Sequence, residues 1–209
     1  LVRDFVMLPL LLQQIVQPTY SLPPERAQAV LQVLEPAMRE GGINTKLRKA
    51  AFIAQTAHES GGFYYREELA SGDAYEGRRD LGNTQPGDGR RYKGRGYIQL
   101  TGRANYAEAG RDLGLDLLNF PELAAQPKNA ARIAVWFWNK KGLNALADQG
   151  PAAFDSITRR INGALRGKTQ RDAIYQRALQ ILPSNGGFAS LLWGVAATSV
   201  ALWVILKEG

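Results

Sequence analysis

Apolar residues recur at intervals of three and four along most of the chain, and that spacing predicts helices. Leu8, Leu11, Leu12, Ile15 and Val16 share one helical face, which predicts an amphipathic first helix packed on the core despite Pro9. The stretch 1–17 is too short to span a bilayer comfortably, and no small-residue cleavage site follows it, so a secretory leader is not favoured. A second helix is expected from Glu25 to about Glu40, with Ser21 as a cap, Pro23 and Pro24 near its first turn and Gly41-Gly42 as its stop. A third begins after Asn44 or Thr45, carries Leu47, Ala50, Ala51, Ile53, Ala54 and Ala57 inward and ends at Glu59-Ser60-Gly61-Gly62. Further helical patterns cover roughly 103–113, 129–141, 151–162 and 169–182. Only Tyr97–Thr101 is β-compatible, so the class is mainly α.

Two stretches break this pattern. Residues from about 71 to 96 are dense in Gly, Asp, Asn and Arg, and so long an irregular stretch inside a compact domain is usually functional or mobile. Near the end, Pro183-Ser184-Asn185-Gly186-Gly187 reads as a break, which divides the chain into a domain over 1–183, a linker over 184–187 and an apolar segment over 188–206. The segment is uncharged and apolar on all faces, and it contains Trp193 and Trp203, which suit the membrane interfaces. It is expected to form a C-terminal apolar helix that spans a membrane, with a terminal helix buried against the domain as the alternative.

Composition narrows the chemistry. The 209 residues contain no cysteine, which excludes disulfides, thiolate metal sites and a cysteine nucleophile. One histidine excludes multi-histidine metal centres, and neither metal nor cofactor is expected. The net charge of +7 favours an anionic partner, such as a nucleic acid, a lipid surface or an acidic cell wall. No Lys/Arg run with interleaved aromatics is present, so nucleic acid is not the expected partner.

The carboxylates carry the candidate chemistry. Glycan hydrolysis needs a protonated acid at the leaving oxygen and a second carboxylate to activate water or attack carbon. Glu59 follows His58 and stands near Ala57, Phe63, Tyr64 and Tyr65, an apolar setting that would keep a proton on it. Glu67, Glu68 and Glu76 follow in or beside the Gly-rich stretch, where water has access. The single His58 reads as a residue that hydrogen-bonds and orients the local chain. In Tyr92-Lys93-Gly94-Arg95-Gly96-Tyr97-Ile98-Gln99-Leu100-Thr101, the Gly-x-Gly lacks the strand and further glycine of a nucleotide fingerprint. Gln99 and Thr101 would point to one side of an extended segment, presenting an amide and a hydroxyl suited to sugar. Ile161-Asn162-Gly163 reads either as a capped helix end or as a substrate-binding amide.

Taken in order, three pieces resemble glycoside hydrolase family 19, the chitinase-related family that includes many phage endolysins. Ala57-His58-Glu59-Ser60-Gly61-Gly62-Phe63 resembles the segment bearing the general acid, Tyr92–Thr101 the substrate-cleft segment, and Ile161-Asn162-Gly163 the late Ile-Asn-Gly. The resemblance covers about 40–182. It implies a lysozyme-like α+β glycosidase fold, mainly α with a small β/loop region lining the cleft. It also implies Glu59 as general acid, Thr101 and Asn105 as holders of the attacking water, and His58, Gln99, Asn105 and Asn162 as substrate-binding residues. Phage-type members place the second carboxylate nine residues after the acid, which is Glu68 here; Glu76 is the alternative base. The family inverts the anomeric centre, which implies a single displacement by water.

The expected substrate is peptidoglycan, cut at β-1,4 bonds in the manner of a muramidase. The absence of cysteines and the compact loops resemble phage lysins more than plant chitinases, and the positive charge suits an anionic wall. Such a lysin would be made in a bacterial host cytoplasm and act in the periplasm, held at the inner membrane by 188–206. The competing expectations are a chitinase acting on chitin oligomers and a non-catalytic glycan-binding module of a virion or tail-like particle.

Overall fold

The computed structural model describes the backbone of residues 2–183 and the side chains of residues 9–183. The linker at 184–187 and the apolar segment at 188–206 lie outside the described residues. No helix among the described residues is long and apolar enough to cross a membrane.

Helix α3 (Lys46–Glu59) is the axis of the domain. Thr45 caps it by accepting the Arg48 amide through its hydroxyl at 3.3 Å, and every residue from Lys49 to Ala57 is buried. Ala50, Ala51, Ala54 and Ala57 keep its girth small, so neighbours approach from several sides. Helix α9 (Lys168–Ile181) packs along it, and helix α1 (Val2–Val16) lies across α9 and α2 (Pro24–Glu40). Leu11, Leu12, Ile15 and Val16 of α1 are buried, as the sequence pattern requires. Helix α6 (Pro127–Lys140) covers α2 and sets Trp138 edge-on to Phe52 at 5.3 Å between ring centres. Helices α5 (Arg103–Leu113), α7 (Leu143–Ala147) and α8 (Phe154–Asn162) complete the shell, and Phe154 stacks flat on Tyr175 at 4.1 Å.

Several expectations change in detail. Pro24 opens α2 and Pro23 stands at its N-cap with no side-chain hydrogen bond, so Ser21 does not cap it. Helix α7 and the 3-10 turn Pro121–Ala125 are short and escape periodicity analysis. Tyr97–Thr101 is not a strand. Gly96 to Gln99 form a tight turn, and pairing is limited to bridges between Glu67 and Arg95 and between Arg95 and Leu100. Gln99 takes the left-handed conformation (φ 53°), so the two-residue alternation that would align it with Thr101 does not apply.

The Gly-rich stretch is irregular but stitched together by side chains. It holds two 3-10 turns, Asp73–Tyr75 and Arg79–Leu81, and the one-turn helix α4 (Asp88–Arg91). Buried Asn83 donates to Tyr75 O at 2.8 Å and accepts from the Arg103 amide at 2.8 Å. Buried Asp88 accepts from the amides of Thr84 and Gln85 and from the Arg103 guanidinium at 2.6 and 2.9 Å. Asp88→Ala should therefore cost roughly 2–4 kcal/mol, because it strips Arg103 and two amides of their shared acceptor. Urea unfolding of the variant checks this value.

Candidate active site

Glu59 is the last residue of α3, and the chain turns sharply after it. The Ser60 hydroxyl donates to Thr56 O at 2.6 Å and accepts the Phe63 amide at 3.1 Å. Gly61, Gly62 and Phe63 all have positive φ (58°, 74° and 65°). Glycine adopts that region freely, whereas Phe63 is held there by burial and an edge-on contact with Tyr97 at 5.5 Å. Tyr64 and Tyr65 are consequently thrown outward and are exposed.

The environment of Glu59 is ionic, not the apolar one expected from its sequence neighbours. Its Oε1 accepts from Nη2 of Arg171, a residue 2% exposed. The same guanidinium donates to Gln55 Oε1 and, through Nε, to Arg166 O at 3.0 Å. Gln55, itself buried, donates to Thr158 Oγ1 at 2.8 Å. A chain of polar contacts thus runs from Glu59 through α9 and α3 to α8. Arg171 and Gln55 were not singled out in the sequence. Arg171 shares the face of Ile174, Tyr175 and Ala178, and a charge at apolar helical spacing is the signal that marks it.

The second group gathers around Gly94. The segment carrying Glu67 and Glu68 lies against 94–96, with Glu68 N donating to Gly94 O at 3.0 Å and Gly96 N to Arg66 O at 2.8 Å. Glu68 Oε2 accepts the Tyr75 hydroxyl at 3.0 Å, while Oε1 is buried without a hydrogen-bond partner. A Cβ on Gly94 would stand 2.7 Å from Gln99 Oε1 and 2.9 Å from Glu68 Oε2, so these two side chains close around one glycine. Gln99 Nε2 donates to Gly96 O at 2.9 Å. The Thr101 hydroxyl donates to Gln99 O at 2.8 Å, and Asn105 Nδ2 donates to Thr101 O at 2.7 Å. Glu68, Gln99, Thr101 and Asn105 therefore form one connected cluster.

Glu76 stands apart from that cluster in its bonding. Both of its oxygens are engaged at 2.8 Å, one by the Gly87 amide and one by the Gly89 amide. Asn162 also spends its amide locally, accepting from Ala164 N at 2.9 Å and donating to Arg166 O at 3.3 Å. Because Arg166 O also receives Arg171, Asn162 is tied to the Glu59 group through that carbonyl. Among the described residues, no group of three or more His, Asp and Glu side chains gathers to hold a metal.

His58 is packed rather than presented. Its Nδ1 lies 2.9 Å from the Tyr20 hydroxyl, and a Cβ on Gly167 would fall 2.0–2.1 Å from its ring. Burial, helped by the Arg171 charge, lowers the imidazole from 6.5 to about 4. The native ring is thus neutral where the unfolded ring is charged. Its contribution to stability is complete above about pH 6.5 and is lost as pH falls toward 4. The loss should reach roughly 1–3 kcal/mol, discounted for a half-buried ring. Urea midpoints between pH 7.5 and 4.5 should fall accordingly, and the fall should be shallower in His58→Gln.

Comparison with known proteins agrees with this architecture. The family model described as chitinase class I matches residues 36–167. An endochitinase of Arabidopsis thaliana is 42% identical over 137 residues, covering 65% of this chain and 46% of that protein. A glycosyl hydrolase family 19 domain-containing protein of Haemophilus influenzae is 31% identical over 193 residues, covering 78% of this chain and 93% of that protein. The chain spans about half the length of the plant relatives it matches, or less. Among solved structures, chitinase C from Streptomyces griseus superposes with a TM-score of 0.65 at 27% identity, covering 88% of this chain and 95% of that one. The chain belongs to glycoside hydrolase family 19.

Proposed function

We propose that the protein is an endolysin-like peptidoglycan hydrolase that cleaves β-1,4 bonds between N-acetylated sugars with inversion. The observation that carries the assignment of the base is the state of the two rival carboxylates. Glu68 is anchored through one oxygen by Tyr75 and keeps Oε1 unpartnered in a buried position. A carboxylate held in that way can take a proton from water. Glu76 has both oxygens occupied by backbone amides and serves the Gly-rich loop instead.

In the proposed reaction Glu59 carries a proton on Oε2, with Oε1 still held by Arg171, and gives it to the glycosidic oxygen as the bond to the anomeric carbon breaks. Water attacks that carbon from the opposite face and loses its proton to Glu68. Arg171 grips Oε1 of Glu59 and fixes the carboxyl in one orientation, with Oε2 left for the leaving oxygen. Thr101 and Asn105 keep lone pairs on Oγ1 and Oδ1 while their donors are spent on backbone carbonyls, so they can receive the water. Gln99, whose Oε1 lies with Glu68 Oε2 beside Gly94, is the proposed sugar contact next to the base.

The polymer is assigned on charge. The chain carries +7, and Arg26 lies 4.0 Å over the exposed Tyr64 ring, on the segment joining Glu59 to Glu68. Peptidoglycan bears carboxylates and chitin does not, so a net positive charge favours the wall. Action in the periplasm follows from that substrate. The second reading, hydrolysis of chitin oligomers, is favoured by the names of the plant and Streptomyces relatives.

Mass spectrometry of fragments released from purified peptidoglycan should show new reducing ends at N-acetylmuramic acid. Intact peptidoglycan alongside cleaved chitin oligomers would select the second reading. Glu59→Gln and Glu68→Gln should each lower turnover by roughly 10²–10⁴-fold while remaining folded. Glu76→Gln should keep turnover and lose stability, and the reverse pattern for Glu68 and Glu76 would exchange their roles. Gly94→Ala, which drives a methyl into Glu68 and Gln99, should depress activity at least about tenfold with a smaller effect on the unfolding midpoint.

A further inference from the structure

A groove of about 520 Å³ opens between the C-terminal ends of α2 and α5 and the last turns of α6. Its size falls within the range of about 300–1,000 Å³ common to small-ligand sites. It lies far from the candidate active site. The first turn of α2 carries Arg26 against Tyr64, whereas its last residues, Glu40 and the capping Gly41, border the groove. Glu40 lies fourteen positions after Arg26 on the helix, a distance of roughly 21 Å along the axis.

The walls of the groove are fixed by contacts that leave its polar groups in place. Arg132 Nη2 donates to Leu113 O at 2.8 Å, and Asn139 Nδ2 donates to Gly41 O at 3.1 Å, so α6 caps the ends of both neighbouring helices. The Trp136 indole N–H donates to Asp112 Oδ2 at 2.9 Å, which fixes the plane of the ring. The Lys140 ammonium lies over the ring face, 5.0 Å from its centre, and is paired with Glu108. The lining therefore combines a half-buried indole held in one orientation with planar carboxylate, amide and guanidinium groups. An aromatic plane accepts the apolar face of a pyranose, and planar polar side chains bond its hydroxyl and acetamido groups. Cations and carboxylates balance here (Arg132 and Lys140 against Glu40 and Asp112), so the groove suits an uncharged ligand.

We propose that this groove is a second glycan-binding site, taking β-1,4-linked N-acetylated sugars of the same polymer remote from the bond being cut. The inference rests on the glycan-hydrolase reading of the protein. Trp136 is the stacking platform, the sugar taking the place of the exposed Lys140 ammonium over its ring, and Glu40 at the rim accepts sugar hydroxyls. Such a site holds the enzyme on an insoluble polymer and adds nothing to the hydrolysis of a soluble oligomer that does not fill both sites at once.

The test uses the full chain carrying Glu59→Gln, titrated with the tetramer of β-1,4-linked N-acetylglucosamine by calorimetry and NMR. Two sites are expected, one of them shifting Trp136 and Asn139 resonances. Trp136→Ala should weaken that site roughly tenfold and Glu40→Ala roughly threefold. With Glu59 restored, both changes should leave turnover of the soluble tetramer unaltered and slow solubilisation of insoluble wall or chitin. If Trp136→Ala does not fold, Glu40→Ala carries the test. A single site in the parent, or unweakened binding in the folded variants, overturns the proposal, as does an equal loss on soluble and insoluble substrates. Two sites on a protein that hydrolyses no glycan would refute the hydrolase reading and support the groove.

Discussion

One buried guanidinium holds the working end of this domain together. Arg171 is nearly sealed from solvent, and its donors reach three separate parts of the chain: Glu59 at the end of α3, Gln55 one turn earlier, and the carbonyl of Arg166 between α8 and α9. A buried charge is tolerated only with a partner and a full set of acceptors, and here the partner is the carboxylate assigned to acid catalysis. The requirement to satisfy Arg171 therefore fixes where α9 lies on α3, how the 163–167 turn is drawn over His58, and which way Glu59 faces. Packing and chemistry share one set of hydrogen bonds.

The helical frame was legible because it obeys local rules. Thr45 marks the start of α3, Gly41 the end of α2, and apolar spacing the inner faces of α1, α2 and α3. The resemblance of three short segments located the candidate site, and those segments do come together in two connected clusters. What periodicity could not supply was the environment. Phe63, Tyr64 and Tyr65 suggested an apolar wall for Glu59. The positive φ at Phe63 sends that ring into the core and its two neighbours outward, and a residue 112 positions away fills the space. Periodicity marks Arg171 as buried but does not say which carboxylate it meets.

The Gly-rich stretch gives a complementary lesson. Its composition resembles that of a mobile loop, yet Asn83, Asp88 and Glu76 each bond backbone or guanidinium groups across it. The distinction between Glu68 and Glu76 arises from this stitching. Both are glutamates near glycines in sequence, and only their hydrogen bonds separate a carboxylate with a buried, unpartnered oxygen from one that braces a loop. The same limit applies to Gln99, whose left-handed backbone comes from a tight turn that β-propensity reads as a strand.

The turn after Glu59 acts as a ruler. Three consecutive residues with positive φ, a seryl hydroxyl bonded in both directions and a buried Phe63 fix the first half of the nine-residue interval to Glu68. An insertion there would change the separation of the carboxylates and with it the room for water. Gly114 and Gly150 are different, because a side chain at either would meet nothing within 4 Å. Added residues meet no steric obstacle at such places, so this domain has room to lengthen there without disturbing the turn after Glu59.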